Sequence, residues 1–219
     1  MSNQPTAGQL QTALRVTKAG AIALEVATDE LCALDSVAGD GDHGLAMETA
    51  AKAIRHRLAD DPPSSVADLI ELLAGEFGAV GGSMGALLSV AFGALGDQAA
   101  GASGPLSAGQ VADYLAAVYE TLSEFGGAKV GDKTIVDAAA GAHGAAAAAA
   151  GCGASTSETL AAAAAGANAG AESTAGLIAR VGRASRLGER SRGSVDAGAR
   201  SFALALTAVA DAYSTEEPK

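Results

Sequence analysis

Hydrophobic residues recur at helical spacing through most of the chain, and no stretch shows the strict alternation of a half-buried strand. The spacing is clearest near the two ends, where Leu10, Leu14, Val16 and Ile22 form one stripe and Phe202, Leu204, Leu206 and Val209 form another. Both stripes are expected to face a core. Four patterns of a hydroxyl residue followed three positions later by Gln, Glu or Asp mark helix starts: Thr6-x-x-Gln9, Ser65-x-x-Asp68, Ser107-x-x-Gln110 and Ser155-x-x-Glu158. The periodicity predicts helices over about 7–32, 44–59, 65–79, 83–95, 107–125, 133–150, 155–180 and 195–213. Connectors fall at 33–42, 59–64, 80–82, 96–106, 126–132, 151–154 and 181–194, several of them marked by glycine. The fold class that follows is all-α, with one domain over residues 1–219.

Composition changes this picture in one respect. Hydrophobic residues make up 49% of the chain but aromatics only 3%, and there is no Trp, so the core is built from Ala, Leu, Val and Ile. Such small side chains let helices approach closely. The run from Ala138 to Ser157 is uncharged and of roughly membrane length, yet it is nearly all Ala and Gly without Leu, Ile or Phe, and reads as helix packing, with no membrane expected. The net charge of −11 argues against nucleic acid as a general partner, because that binding needs an electropositive surface. Cys32 and Cys152 form no CxxC pair and the first residues lack a secretory pattern, so a reduced, cytoplasmic setting is expected.

The chemistry concentrates in Leu34-Asp35-Ser36-Val37-Ala38-Gly39-Asp40-Gly41-Asp42-His43-Gly44. Its glycines discourage a continuous helix, so the stretch is expected to be a loop in which Asp40 and Asp42 point the same way and Asp35 folds back to join them. Carboxylates suit a hard cation such as Mg²⁺ or Ca²⁺, although they also serve as turn and cap residues. Two Mg²⁺ ions against three carboxylates would leave a net positive charge that attracts phosphates. Gly39-x-Gly41-x-x-Gly44 fails as a dinucleotide fingerprint because a helical segment precedes it and Asp40 and Asp42 would repel a pyrophosphate. An EF-hand beginning at Asp40 fails because Gly44 takes a ligand position and Ala51 the place of the bidentate Glu.

Three further stretches carry polar chemistry. Gly81-Gly82-Ser83-Met84-Gly85 sits where a helix should begin, a position that suits an anion or a structural turn. Gly126-Gly127-Ala128-Lys129-Val130-Gly131-Asp132-Lys133-Thr134 resembles a phosphate-binding P-loop, but Asp132 stands where Lys must follow Gly, and Asp132 reads equally as the N-cap of the next helix. Arg180, Arg183, Arg186, Arg190, Arg192 and Arg200 account for six of the fourteen basic residues. Some are expected to pair with Glu189 and Asp196, others to reach a ligand, since the guanidinium fork suits phosphate. His56 and His143 have no ligand-like neighbours and read as structural.

Taken together, Asp35-x4-Asp40-Gly-Asp42-His43-Gly44, Gly81-Gly82-x-x-Gly85, Gly126-x5-Asp132-Lys133-Thr134-x-x-Asp137 and Gly182-Arg183-Ala184-Ser185-x-Leu187-Gly188-Glu189-Arg190-Ser191 with Asp196-x-Gly198-Ala199 resemble the nucleotide-binding L subunit of the dihydroxyacetone kinases. The resemblance runs in order from about residue 10 to 212. It implies a barrel of about eight antiparallel helices with the nucleotide, ATP or ADP, at one end. It also implies that Asp35, Asp40 and Asp42 hold two Mg²⁺ ions and act with Arg183 in phosphoryl transfer. By the same carry-over His43, Gly44, Ser83, Met84, Gly126, Ile135 and Arg183 line the nucleotide, and Asp196 and Gly198 close over it. The ketose would sit on a separate K subunit, and the donor would be exchangeable ATP or a held ADP recharged by a phosphotransferase-system protein. Met84 stands where many relatives have Ser, and Ala197 where Pro is common. A second reading makes the same unit a regulatory module whose nucleotide state is sensed by a transcription factor.

Overall fold

The computed structural model describes residues 7–100 and 104–215. Among these residues it contains nine α-helices and no strand: α1 (Ala7–Val26), α2 (Thr28–Ser36), α3 (His43–Asp60), α4 (Val66–Ala79), α5 (Gly82–Ala99), α6 (Ala108–Gly126), α7 (Ile135–Gly151), α8 (Thr156–Ser173) and α9 (Ala197–Ser214). Ser65 Oγ accepts from the Asp68 N–H at 3.0 Å, and Ser107 and Ser155 complete reciprocal capping boxes with Gln110 and Glu158. Each hydroxyl satisfies an N–H that the first helical turn leaves without a partner. Thr6 lies outside the described residues. A further capping box, Thr134 with Asp137, opens α7.

The helices form a ring in chain order. α1 packs on α3, then each of α3 to α8 packs on the next helix in sequence, and α9 closes the ring against α1. This is the eight-membered barrel expected, with α2 as an additional short helix. The expected first helix of 7–32 is interrupted at Ala27 (φ −88°, ψ 6°), where Thr28 Oγ1 donates to the Glu25 carbonyl at 2.8 Å. Back-bonding by a hydroxyl side chain competes with the helical ladder and bends the chain. At the other end, α8 stops at Ser173 and gives way to a 3₁₀ turn, Thr174–Gly176, so the helix expected to reach 180 is shorter. The connector 181–194 contains a 3₁₀ segment, Arg183–Ser191, kinked at Gly188 (φ 55°, ψ −128°).

Small residues let the barrel close. α7 and α8 cross so tightly that a Cβ on Gly141 would lie 2.2 Å from the Gly166 carbonyl oxygen, and one on Gly170 would lie 2.4 Å from that of Asp137. The layer beside this crossing is wholly alanine: Ala138, Ala142, Ala167, Ala171, Ala199 and Ala203. Larger side chains, among them Leu31, Met47, Ile54 and Phe77, fill the region between α1, α2, α3 and α4. The α1 stripe is only partly a core stripe: Leu10, Leu14 and Val16 are half-buried, whereas Ile22 is 40% exposed and lines a shallow apolar groove with Val26, Leu204 and Ala208. Among the described residues no helix is long and apolar enough to cross a membrane.

Candidate metal centre at one pole of the barrel

The acidic stretch is only partly a loop. Asp35 belongs to the last turn of α2, residues 37–42 form the turn, and His43 and Gly44 already begin α3. Gly41 (φ +78°) reverses the backbone so that Asp35 Oδ2 accepts from the N–H groups of Gly41 at 2.8 Å and Asp42 at 3.1 Å. The turn therefore wraps around the Asp35 carboxylate. One oxygen each from Asp35, Asp40 and Asp42 lies within 4.8 Å of the other two. Arg183 donates to Asp40, which holds that carboxyl below the ordinary carboxylate range, while the adjacent Asp40 carboxylate pushes Asp42 up. Like charges brought this close favour a proton or a cation between them.

The cluster sits where four helices begin. His43, in the first turn of α3, reaches α9 through Nε2 to Ser201 Oγ at 3.0 Å. Gly198, in the first turn of α9, is so close to α5 and α7 that a Cβ there would lie 2.5 Å from Met84 Cε and 3.6 Å from Ile135 Cβ. The N-termini of α3, α5, α7 and α9 thus share one pole. Their dipoles favour an anion at this end. Ser83 is exposed on the rim in the first turn of α5, after Gly81 (φ +71°) and Gly82 (φ +68°). Gly126, at the end of α6, lies over α5, with 3.2 Å between a Cβ there and Leu87 Cδ2.

Other expected site residues also have structural partners. Gly44 is buried against α2: a Cβ would lie 2.1 Å from the Thr28 carbonyl oxygen, so it permits a helix contact and offers no open surface. His43 is 7% exposed, and burial lowers its pKa, so the neutral ring is a hydrogen-bonding strut between α3 and α9. Ile135 is 3% exposed in the apolar core. Met84 packs beside it, so the thioether fills space where a hydroxyl would meet apolar neighbours. Asp196 caps α9 by accepting from the Ala199 N–H at 2.8 Å, and burial pushes its carboxyl up to about 6.

Asp132 is not the cap of α7. Its Oδ2 accepts from the Lys129 N–H at 3.0 Å, closing the preceding turn, and Thr134 takes the capping position. Of the arginines, Arg192 pairs with Glu189 at 3.3 Å as expected, and Arg200 with Glu30 at 2.6 Å, whereas Asp196 takes no arginine partner. Arg183, Arg186 and Arg190 face residues 37–40 across an open cleft of about 390 Å³. His143 stacks on Tyr119 with ring centroids 5.9 Å apart, and His56 is exposed. Two residues given no role from the sequence are central here: the buried Lys133, quoted only as part of a motif, and the fully buried Thr174, both of which hold the segment that carries Arg183.

An all-α barrel with a carboxylate cluster and converging helix N-termini at one pole defines a class of anion- and cation-binding helical domain. Comparison with known proteins makes the class specific: the family described as the DAK2 domain matches residues 37–211, and the chain belongs to it. Asp35 lies just outside the matched span. The chain is 32% identical to the PEP-dependent dihydroxyacetone kinase 2, ADP-binding subunit DhaL, of Listeria innocua over 85% of this chain and 87% of that protein. It is 35% identical to the L-erythrulose kinase of Pectobacterium atrosepticum, over 82% of this chain but 31% of that protein. It spans about a third of the length of the erythrulose kinases it matches. The dihydroxyacetone kinase of C. freundii in complex with AMP-PNP and Mg²⁺ superposes with a TM-score of 0.72 at 28% identity, covering 96% of this chain and 35% of that one.

Proposed function

We propose that residues 1–219 form the nucleotide-binding unit of a short-ketose kinase, acting in the cytoplasm with a separate ketose-binding K subunit. The observation that carries this reading is the Asp35, Asp40 and Asp42 cluster, with its ligand oxygens within 4.8 Å, at the pole where four helices begin and Arg183 reaches in. The donor set is all hard oxygen, which fits Mg²⁺ and excludes a soft metal. Asp35, Asp40 and Asp42 would hold two Mg²⁺ ions, which supply charge neutralisation for the nucleotide phosphates and the transferred group. Ser83, Gly126 and the first turns of α5, α7 and α9 would seat the nucleotide, with Asp196 and Gly198 at its edge. Arg183, freed from Asp40 by the cations, would turn its fork to phosphate.

The acceptor is a three- or four-carbon ketose, in keeping with the dihydroxyacetone and erythrulose kinases among the relatives. Asp40→Asn combined with Asp42→Asn is expected to abolish Mg²⁺-dependent ADP and ATP binding in calorimetry. Retained affinity would overturn the assignment. Mixing the chain with its K subunit, ketose and ATP then separates the donors: many turnovers without another protein identify exchangeable ATP, and a single turnover identifies a held nucleotide recharged by a phosphotransferase-system protein.

A further inference from the structure

Residues 174–196, between α8 and α9, form a strap that carries Arg183 to the carboxylate cluster. Its two ends meet at a neck, where the Gly193 N–H donates to the Ala175 carbonyl at 2.9 Å and the Asp196 N–H to Thr174 Oγ1 at 2.8 Å. Lys133 enters this neck from the turn before α7. It is 4% exposed, and its ammonium donates to the Thr174 carbonyl at 2.6 Å and to the Ser194 carbonyl. Thr174 is the C-cap of α8, so the ammonium also meets the negative end of that helix, which has no basic residue in its own last turn. The same turn is tied to the strap a second time by the Arg180 N–H, which donates to the Asp132 carbonyl at 3.1 Å.

Two features single out this lysine. Burying an ammonium is unfavourable unless its donors are used, and here two are given to carbonyls while Asp196 and Asp137 face it electrostatically; burial still lowers its pKa. Its backbone has φ +64°, the left-handed region that glycine occupies without strain, as Gly131 does two positions earlier at φ +92°. A glycine would relax the turn, and the lysine there bears that strain to bring its ammonium to the two carbonyls.

We infer that Lys133 is a positioning residue whose ammonium fastens the neck of the strap, so that Arg183 is presented to the carboxylate cluster. This role rests on the nucleotide-binding reading above, and it acts only through Arg183. The test is a double-variant cycle on the full chain with Mg-ADP as probe, read by calorimetry, together with hydrogen exchange in the absence of nucleotide. Lys133→Met and Arg183→Ala are each expected to weaken Mg-ADP about tenfold, and the double variant about tenfold as well, because the two share one effect. Exchange in Lys133→Met is expected to rise across residues 174–196 while α3 to α7 keep their protection. A double variant weakened about a hundredfold would show independent roles and overturn the inference, as would a loss of protection throughout the barrel. If Lys133→Met does not fold, Thr174→Val, which removes the other pin of the neck, replaces it in the same cycle: about tenfold for the double variant supports the shared role, and about a hundredfold overturns it. Failure of the unaltered chain to bind Mg-ADP would refute the nucleotide-binding reading, and the exchange measurement would still decide whether Lys133 holds the neck.

Discussion

Replacing Gly44 by Ala sets two opposing effects against each other. An alanine in a helix is favoured over glycine by about 0.4–1 kcal/mol, through propensity and through the lower entropy of the unfolded chain. Against this, the added Cβ would lie 2.1 Å from the Thr28 carbonyl oxygen, 2.7 Å from Cys32 Sγ and 2.9 Å from Cys32 N. Two of these atoms are backbone of α2 and have no rotamer to escape into. Overpacking of this kind costs about 1–3 kcal/mol, and a gap more than an ångström too short lies at the upper end. The clash therefore wins, with a net loss of about 2–2.6 kcal/mol. The consequence for function is specific, since α2 carries Asp35 while Asp42 directly precedes α3: pushing the two helices apart spreads the carboxylates. Urea unfolding with an unchanged m-value measures the first effect, and Mg²⁺ titration the second. Gly144→Ala is the control, because nothing lies within 4 Å of a Cβ there; it is expected to stabilise α7 by about 0.4–1 kcal/mol. A Gly44→Ala protein as stable as its parent, with undiminished Mg²⁺ affinity, would refute the reasoning.

Asp137→Ala removes a buried carboxylate that accepts from the N–H groups of Gly131 at 2.6 Å and Thr134 at 2.8 Å, and should cost about 2–3 kcal/mol in urea unfolding. A loss under about 0.5 kcal/mol would mean that water replaces it. Gly141→Ala should lower the melting temperature despite better helix propensity, because its Cβ meets the Gly166 carbonyl oxygen at 2.2 Å; a higher melting temperature would disprove the close crossing. The Asp196 carboxyl, at 3.8 in a model peptide and about 6 in the fold, binds more proton folded than unfolded between those values, so its contribution to stability is lost as pH rises across that window. Carbon NMR of the carboxyl should show a midpoint near 6, and a midpoint below about 4.5 would contradict its burial.

The helices were legible because their starts are marked by hydroxyl caps and their faces by apolar periodicity; Ser107 and Ser155 do what their spacing suggests. The break at Ala27 was not, since no Gly or Pro marks it and the bend comes from a hydroxyl bond at Thr28 and from packing against Gly44. The meeting of Asp35, Asp40 and Asp42 could be reasoned from glycine turns and like chemistry. Gly44, His43 and Ile135 were placed on the nucleotide by resemblance alone; the helix contact, strut and core packing that their surroundings also give them had no mark in the sequence. Lys133 was hidden for a physical reason: lysine is seldom buried, and its environment is assembled by carbonyls from residues 41 and 61 positions further along. The hints in the sequence were its place after Gly131 and Asp132, in a stretch that fails as a P-loop, and its presence in the Asp132-Lys133-Thr134 motif, neither of which says that the ammonium is buried.

The closure of α9 against α1 has a geometric consequence for tethering. Arg15, eight residues into α1, donates through Nη1 to Thr215 Oγ1 at 3.1 Å, so the end of α9 is fastened to the wall of α1, opposite the pole that carries the carboxylates. α9 has 18 residues and spans about 27 Å from one pole to the other. Any unit joined to the end of α9 therefore hangs from the floor of the barrel. To face the carboxylate pole, it must be led up the outer wall by a linker of about eight or more extended residues.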